Sequence, residues 1–505
     1  MRVEVVGGPP EAIEADVLGV GVVEPATEPG GAVAAIDRPL GGRLADLARE
    51  GELTATGGSV LLLHVEAGPR HPPPPLAASR VAAAGLGAAE RLDADAIRTA
   101  AAAAARTAAR FGGSLAWVVD EALPLPAAEQ ARAAVDGASL GTYDPGRWKS
   151  GRSAGNDLRR LVIAGGVDGV AEAATRAGVV ARWTTRARDF VNAPANEMTP
   201  TALGERAEEI AREVPALTVE ALGPEAIVRL GLTAFAAVAR GSDEPARLLV
   251  ARYDPPAPAR DDLVLGLVGK AITFDSGGLS LKSPERMTWM KVDMAGGAAV
   301  VCGLGAIAEL GLPVRALGVV AACENMPGPR SYRPGDIIRT FNGTTVEVTN
   351  TDAEGRIVLA DALAHARVLG ATHLVDLATL TGGALGDVYA GLFARGDDWR
   401  DELLAAADAS GDHAWPWPLH RRFRRLLDSD VADLKNSASG RAATAAAAAF
   451  LSEFAGDGPW AHVDIGGTAF LERSRGDYLS QRGGTGAGVR LVAELGRRLA
   501  SAPPG

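Results

Sequence analysis

Acidic and basic side chains gather in two stretches of this sequence, each where an apolar run gives way to a loop or helix. The first, LVLGLVGKAITFDSGGLSLKSPERMTWMKVDMAGGAAV (residues 263–300), carries Lys270, Asp275, Lys282, Lys291 and Asp293. The second, NTDAEGR, carries Asp352, Glu354 and Arg356. In extended chain Asp352 and Glu354 would project to one side and could share a metal. Four carboxylates (Asp275, Asp293, Asp352, Glu354) converging in one site would repel and raise one another's pKa unless cations neutralise them. The lysines and the arginine supply part of that balance. Two divalent ions about 3.5–4 Å apart would supply the rest, as a clamp able to activate water. Such oxygen-rich ligands suit Mn²⁺ or Mg²⁺ and do not exclude Zn²⁺. A lysine ligates only as the neutral amine, so on residue chemistry alone Lys270 reads as a counter-charge. Taken singly, Asp275 or Asp293 reads as a cap or surface ion pair; their company at glycine-flanked strand ends favours a site.

Strands must aim such a cluster. Leu263–Val268 is a continuous apolar run ending in a Gly-Lys pair, as buried parallel strands do, and Asp275 follows in a glycine-broken loop. In open α/β sheets chemistry gathers beyond the carboxyl ends of the strands. Further strands are expected at Leu248–Tyr253, Val314–Ala322, Thr345–Val348, Leu374–Ala378 and Ala461–Ile465. They alternate with helices at Ala295–Leu310, Ile357–Leu369, Ala442–Phe454 and Gly486–Leu499. Residues 190–505 therefore read as one large domain, in which Thr199-Pro200 opens a helix.

Residues 1–166 alternate in the same way, with strands at Val17–Val23, Ser59–Val65, Leu115–Val119 and Leu161–Ala164 and a helix at Asp93–Phe111. They hold no acid, histidine or nucleophile cluster, so a packing or oligomerisation role is expected. Gly68–Pro75 ends in four prolines and reads as a loop or edge turn. Residues 167–189 lack proline and read as a connecting helix. The fold class expected is α/β: a smaller N-terminal domain joined by a helix to a large C-terminal catalytic domain with a mixed central sheet.

The totals agree with a globular protein of two or three domains: 505 residues, 47% apolar and 22% charged. A net charge of −11 argues against a nucleic-acid surface, which needs a basic footprint. Two cysteines without CxxC spacing argue against a disulfide framework or thiolate zinc site. The first residues lack a basic stretch followed by an apolar core, so no signal peptide is expected. No charge-free apolar run of ~18 residues suggests a membrane span. A reducing cytoplasm fits. The seven histidines show no HExxH pairing, and VGK followed by Ala-Ile is not a phosphate loop. Trp415 and Trp417, either side of a proline, read as a packed loop.

The blocks VGKAITFDSGGLSLK, MKVDMAGGAAV, ENMPGPRSYRPGDIIRTFNG, NTDAEGRIVLADAL and DLATLTGGALG resemble those of the leucyl aminopeptidase (cytosol aminopeptidase) family of dinuclear metallopeptidases. FVNAPANEMTP, DLKNSASGR, WAHVDIGGTAF and GTGAGVRLVAEL extend the likeness, which spans residues 190–500 or so. This resemblance implies that Asp275 and Glu354 bridge two metals. It implies that Lys270 and Asp293 complete one site, and Asp352 the other through its carboxylate and main-chain carbonyl. Lys282 and Arg356 become the non-ligand catalytic cations, with bicarbonate on the arginine as general base. Asn350, Thr379, Leu380 and Gly382 would line the substrate cleft, and Met290 would wall the pocket for the first side chain.

The resemblance further implies a metal-dependent aminopeptidase, with Mn²⁺ or Zn²⁺ and Mg²⁺ also admissible. Its substrates would be peptides with apolar, leucine-like N-termini. It would be a cytoplasmic homohexamer without membrane association. Three places depart from the family pattern: Ala271 where glycine is common, Ser283 where proline is common, and Arg441-Ala442-Ala443-Thr444 where a glycine pair is usual. They bear on substrate range and rate. Ala271 and the 441–444 segment also motivate the alternative, an inactive or weakly active paralogue serving as scaffold or DNA-binding protein.

Overall fold

The computed structural model describes residues 1–65, 75–150, 157–382, 385–438, 440 and 442–501. Nearly all of the Gly68–Pro75 turn, and Arg441, lie outside the described residues. By packing, the chain divides into two units, Met1–Thr185 with Glu472–Arg482, and Arg186–Leu471 with Gly483–Gly505. The helix Val170–Asn192 carries the chain from one to the other.

The first unit is built on strands β1 (Arg2–Val6), β2 (Val17–Glu24), β3 (Val60–His64), β4 (Arg80–Ala88), β5 (Ser114–Val118) and β6 (Arg160–Ala164). Their order is β1-β6-β5-β2-β4-β3, parallel throughout except for β3 against β4. Parallel neighbours need crossovers, and the helices Ala94–Ala109 and Ala127–Gly141 supply two of them. Asp93 caps the first, accepting from the Ala96 amide at 2.9 Å. β4, RVAAAGLGA, is rich in the best helix former yet lies inside the sheet. Ala82 and Ala84 share a buried cluster with the alanines of helix Ala94–Ala109. Small side chains on both elements allow that close packing, and burial overrides propensity.

In the second unit an eight-stranded mixed sheet comprises β7 (Leu217–Leu222), β8 (Arg247–Tyr253), β9 (Val264–Asp275), β10 (Arg315–Asn325), β13 (His373–Ala378), β14 (Ala390–Arg395), β15 (Ala414–Pro416) and β17 (Trp460–Asp464). The order is β15-β14-β17-β13-β9-β10-β8-β7. β17, β13, β9 and β10 run parallel, while β14, β8 and β7 bring antiparallel pairing at the two sides. A three-stranded sheet holds β11 (Ile337–Arg339), β12 (Thr345–Glu347) and β16 (Leu434–Lys435). β18 (Phe470–Leu471) pairs antiparallel with β19 (Gly483–Gly484).

β9 runs further than its sequence suggests. The apolar run ends at Val268, but pairing to β10 continues to Asp275, so Asp275 closes the strand instead of sitting in the loop. Near that end the register slips: Ile272 faces Cys323 and Phe274 faces Glu324, leaving Thr273 as an extra residue. Such a bulge reverses the alternation of faces beyond it.

The helix Ala295–Glu309 crosses below β9, nearly all of it buried. A Cβ at Gly269 would lie 2.7 Å from the Gly297 Cα, so glycine on both elements permits this approach. Among the described residues one helical stretch, Met290–Glu309, is long and apolar enough to cross a membrane. It is buried within this unit and serves as its core helix.

Candidate active site

The carboxyl ends of three adjacent parallel strands build the site. β9 contributes Lys270 and Asp275, β10 ends at Asn325, and β13 leads into Thr379. The loop before helix Gly355–Val368 adds Asp352 and Glu354, and the short 3-10 turn Met290–Met294 adds Asp293.

Lys270 and Asp275 are an odd number apart and would face opposite sides of a regular strand. The extra residue at Thr273 brings both to the Glu354 side. Lys270 Nζ lies 2.9 Å from Glu354 Oε1 and 2.8 Å from Asp293 Oδ1. Asp275, Asp293 and Glu354 each offer an oxygen within 4.8 Å of the others, and all three are buried. Lys282 Nζ stands between Asp275 Oδ2 at 2.7 Å and Asp352 Oδ1 at 2.5 Å.

Asp352 and Glu354 do not share an extended segment. Residues 351–354 turn into a helix whose N-cap is Glu354, with helical backbone angles. The two carboxylates therefore diverge, Glu354 toward Lys270 and Asp352, a third exposed, toward Lys282.

Four carboxylates face three cations here, counting Arg356, so the cluster is formally negative. Burial, with repulsion from Glu354, pushes Asp275 up to about 6 against the pull of Lys282 and Lys270. Burial drives Asp293 well up despite Lys270, and Asp275 and Glu354 add to the rise. Burial would raise Glu354 too, but Lys270 and Lys282 hold it below its usual range. Burial alone would discharge Lys270, yet Asp293, Glu354 and Asp275 keep it firmly an ammonium. Lys282 is held in the same way, chiefly by Asp275 and Glu354.

One buried oxygen, Asp293 Oδ2, has no hydrogen-bond partner. An orphaned carboxylate oxygen, clustered oxygen donors and excess negative charge together fit divalent cations. Lys270 could join them only after giving up the proton it shares with Asp293 and Glu354.

Arg356 is buried and forms no ion pair among the described residues, and its Nε lacks a partner. Burial pushes the guanidinium down to about 10, resisted by Glu354 and Asp464. A buried guanidinium without a carboxylate partner can hold a small planar anion through parallel N–H donors.

Thr379 joins the cluster directly: its hydroxyl donates to Asp293 Oδ1 at 2.7 Å, and its carbonyl accepts from Lys270 Nζ at 3.1 Å. Leu380 and Gly382 follow in the same turn, Leu380 half-buried and Gly382 exposed. Asn350 braces the acidic loop, its Oδ1 accepting from the Asp352 amide at 2.9 Å. Met290, half-buried, opens the turn that ends in Asp293 and Met294.

Residue chemistry alone did not reveal several positioning side chains. Asn325 contacts Asp275, Thr351 and Glu354. Asn436 binds the main chain of Asn350 and Ala353. Asp464 accepts from Thr381 Oγ1 at 2.6 Å and from the Leu380 amide at 3.3 Å. Uncharged or isolated in sequence, they carry no ligand pattern. The available signal was Asn325's place at the end of an apolar run beside β9.

Comparison with known proteins accords with this geometry. Residues 185–493 match the model of the cytosol aminopeptidase family catalytic domain, and residues 19–152 that of the family's N-terminal domain. A probable cytosol aminopeptidase of Solibacter usitatus is 42% identical over 454 residues, covering 89% of this chain and 92% of its own. One from Roseiflexus castenholzii is 39% identical over 503 residues, covering 98% of each. Among solved structures, a bottromycin maturation enzyme, BotP, in complex with Mn superposes with a TM-score of 0.83 at 36% identity, over 96% of this chain and 100% of that one. A tomato leucine aminopeptidase mutant superposes with a TM-score of 0.85 at 30% identity, over 98% and 97%.

Proposed function

This chain belongs to the cytosol aminopeptidase family and is a peptidase of the hydrolase class, and from that premise we propose that it is a metal-dependent enzyme releasing apolar, leucine-like N-terminal residues from peptides. The observation that carries this reading is the buried trio Asp275, Asp293 and Glu354, with an unpartnered Asp293 oxygen, at the strand ends. Asp275 and Glu354 would bridge two cations. Lys270 and Asp293 would complete one position and Asp352 the other. Divalent ions there, Mn²⁺ or Zn²⁺ with Mg²⁺ admissible, would supply Lewis acidity and the charge needed to activate water. The Mn complex of BotP supports manganese among these.

The chain's own residues do the rest. Lys282, largely but not fully buried and already between two carboxylates, can turn its ammonium to the oxyanion that forms as the peptide carbonyl is attacked. Arg356 can hold bicarbonate as the proton acceptor, since the four clustered carboxylates are each committed to a cation. Thr379 keeps Asp293 oriented, and Leu380 and Gly382 offer edges along which a peptide can lie. Met290 and Asn350 would border the cleft. A divalent ion held by the clustered carboxylates would supply a Lewis-acid position for the substrate's free, neutral α-amine, which would confine cleavage to the first residue.

We also infer a cytoplasmic homohexamer, as the family resemblance implies. The scaffold or DNA-binding alternative is weakened by two observations. Ala271 is fully buried and packs over Gly297, so it does not narrow a cleft. Ser283 is exposed, at the N-cap position of a short helix, Pro284–Met287, without a side-chain capping bond. The deciding measurement is hydrolysis of leucine p-nitroanilide by metal-stripped protein with Mn²⁺, Zn²⁺ or Mg²⁺ restored and bound metal counted. Activity regained at two ions per chain is the expected result. Two ions without turnover would favour the scaffold, and no metal binding would overturn the site assignment.

A further inference from the structure

Asn325 closes β10 and is wholly buried. Its side-chain amide has two hydrogens to give, and they serve the Asp275 carboxylate and the main chain of the loop that carries Asp352 and Glu354. Nδ2 lies 2.8 Å from Asp275 Oδ1 and 3.0 Å from the Thr351 carbonyl, with Glu354 Oε2 at 3.4 Å beside them. The residue is also anchored through its main chain. Its carbonyl accepts from Ser276 N at 3.0 Å and from Ser276 Oγ at 2.6 Å. The Thr351 carbonyl takes a second donor, the Tyr332 hydroxyl, at 2.6 Å.

One side chain thus ties together the end of β9, the acidic loop and the start of helix Gly355–Val368. Its orientation is fixed. Turning the amide over would aim its oxygen at Asp275, and the oxygen instead sits against Gly278, where a Cβ would come within 2.9 Å. That oxygen is buried without a donor, so this pose is kept for what the nitrogen does.

We infer that Asn325 is a positioning residue that sets the spacing of Asp275 and Glu354, and so the ability of the site to hold two ions as a pair. The inference rests on the two-metal reading above. It concerns carboxylates that are supplied by two separate elements and repel one another. A neutral donor ties Asp275 to the segment that leads into Glu354 without adding charge. A lysine there would compete with the metal, and an aspartate would offer no hydrogen at neutral pH.

The test uses full-length protein, stripped of metal and titrated with Mn²⁺ alone, by calorimetry and by electron paramagnetic resonance. Wild type is expected to bind two ions showing the spin-coupled signal of a bridged pair. Asn325→Leu keeps the volume and removes both donors. Its second Mn²⁺ is expected to bind about 10- to 100-fold more weakly, with the coupled signal replaced by that of isolated ions. If that variant does not fold, Asn325→Ser, which keeps one donor, is expected to lose part of the coupling. A folded variant with unchanged affinity and an unchanged coupled signal would overturn the positioning role. Wild type that binds no paired Mn²⁺ would overturn the two-metal reading itself, an outcome distinguishable from the first.

Discussion

The balance of charge at the cluster assigns different work to residues of the same type. Lys270 is enclosed by Asp293, Glu354 and a carbonyl, whereas Lys282 lies nearer the surface between Asp275 and Asp352. Lys282→Ala removes no candidate ligand, so bound metal should be unchanged while kcat falls about 100- to 1,000-fold, the usual cost of a lost oxyanion donor. Metal analysis beside steady-state kinetics checks this, and metal loss would make the residue a structural counter-ion. Gly355 shows how tightly Lys270 is held: an added Cβ would stand 2.6 Å from its Cε and 2.7 Å from its Nζ. Gly355→Ala should fold, since the tip of a lysine can move, but with Mn²⁺ affinity lowered about tenfold as Lys270 leaves its partners. Equal affinity in calorimetry would show that its placement is immaterial. The charged members of this cluster were legible in the sequence because their types and spacing are unusual. Asn325 and Asp464 were not, because an amide at a strand end and a lone aspartate occur everywhere and acquire meaning only from what they face.

Among elements, strands with branched apolar runs could be located from sequence to within a residue or two, as at β2 and β8. β4 could not, since alanine and glycine carry no strand propensity and its place is set by a neighbouring helix that needs small partners. The bulge in β9 was equally hidden, because a register slip depends on two strands at once. β13 and β17 carry a further cross-strand feature. Asp376 and His462 are register partners, Asp376 Oδ1 lies 2.6 Å from His462 Nδ1, and Trp460 Nε1 donates to Asp376 Oδ2 at 2.8 Å. Burial would lower the His462 pKa, but Asp376 raises it above the ordinary 6.5. A histidine raised on folding contributes its stability fully below the unfolded pKa and loses it as pH climbs through the folded value. Urea midpoints of wild type should therefore decline over that range above about 6.5 more steeply than those of His462→Gln. Parallel curves would mean that the imidazole is neutral in the fold. Asp376→Ala, which strands two buried donors, should cost about 3–5 kcal/mol in the same measurement.

Across the whole molecule the two-part α/β organisation and the net negative charge could be read from composition and alternation, but the path of the chain could not. Residues 472–482 leave the second unit after β18, pack with the first, and return at β19. The antiparallel pair Phe470–Gly484 and Leu471–Gly483 holds the neck of this excursion closed. Within the first unit Arg98 lies over the Tyr478 ring at 6.0 Å, and Arg106 Nη1 donates to Ser480 Oγ at 3.1 Å. A fragment of residues 1–185 should accordingly melt lower alone than with a 472–482 peptide added, and equal melting would show that the excursion contributes nothing. On the ribosome, then, the part of the protein that emerges first is among the last to be finished. Its closing contacts wait for residue 482, so the first-made unit must persist incomplete through the synthesis of nearly all of the catalytic one.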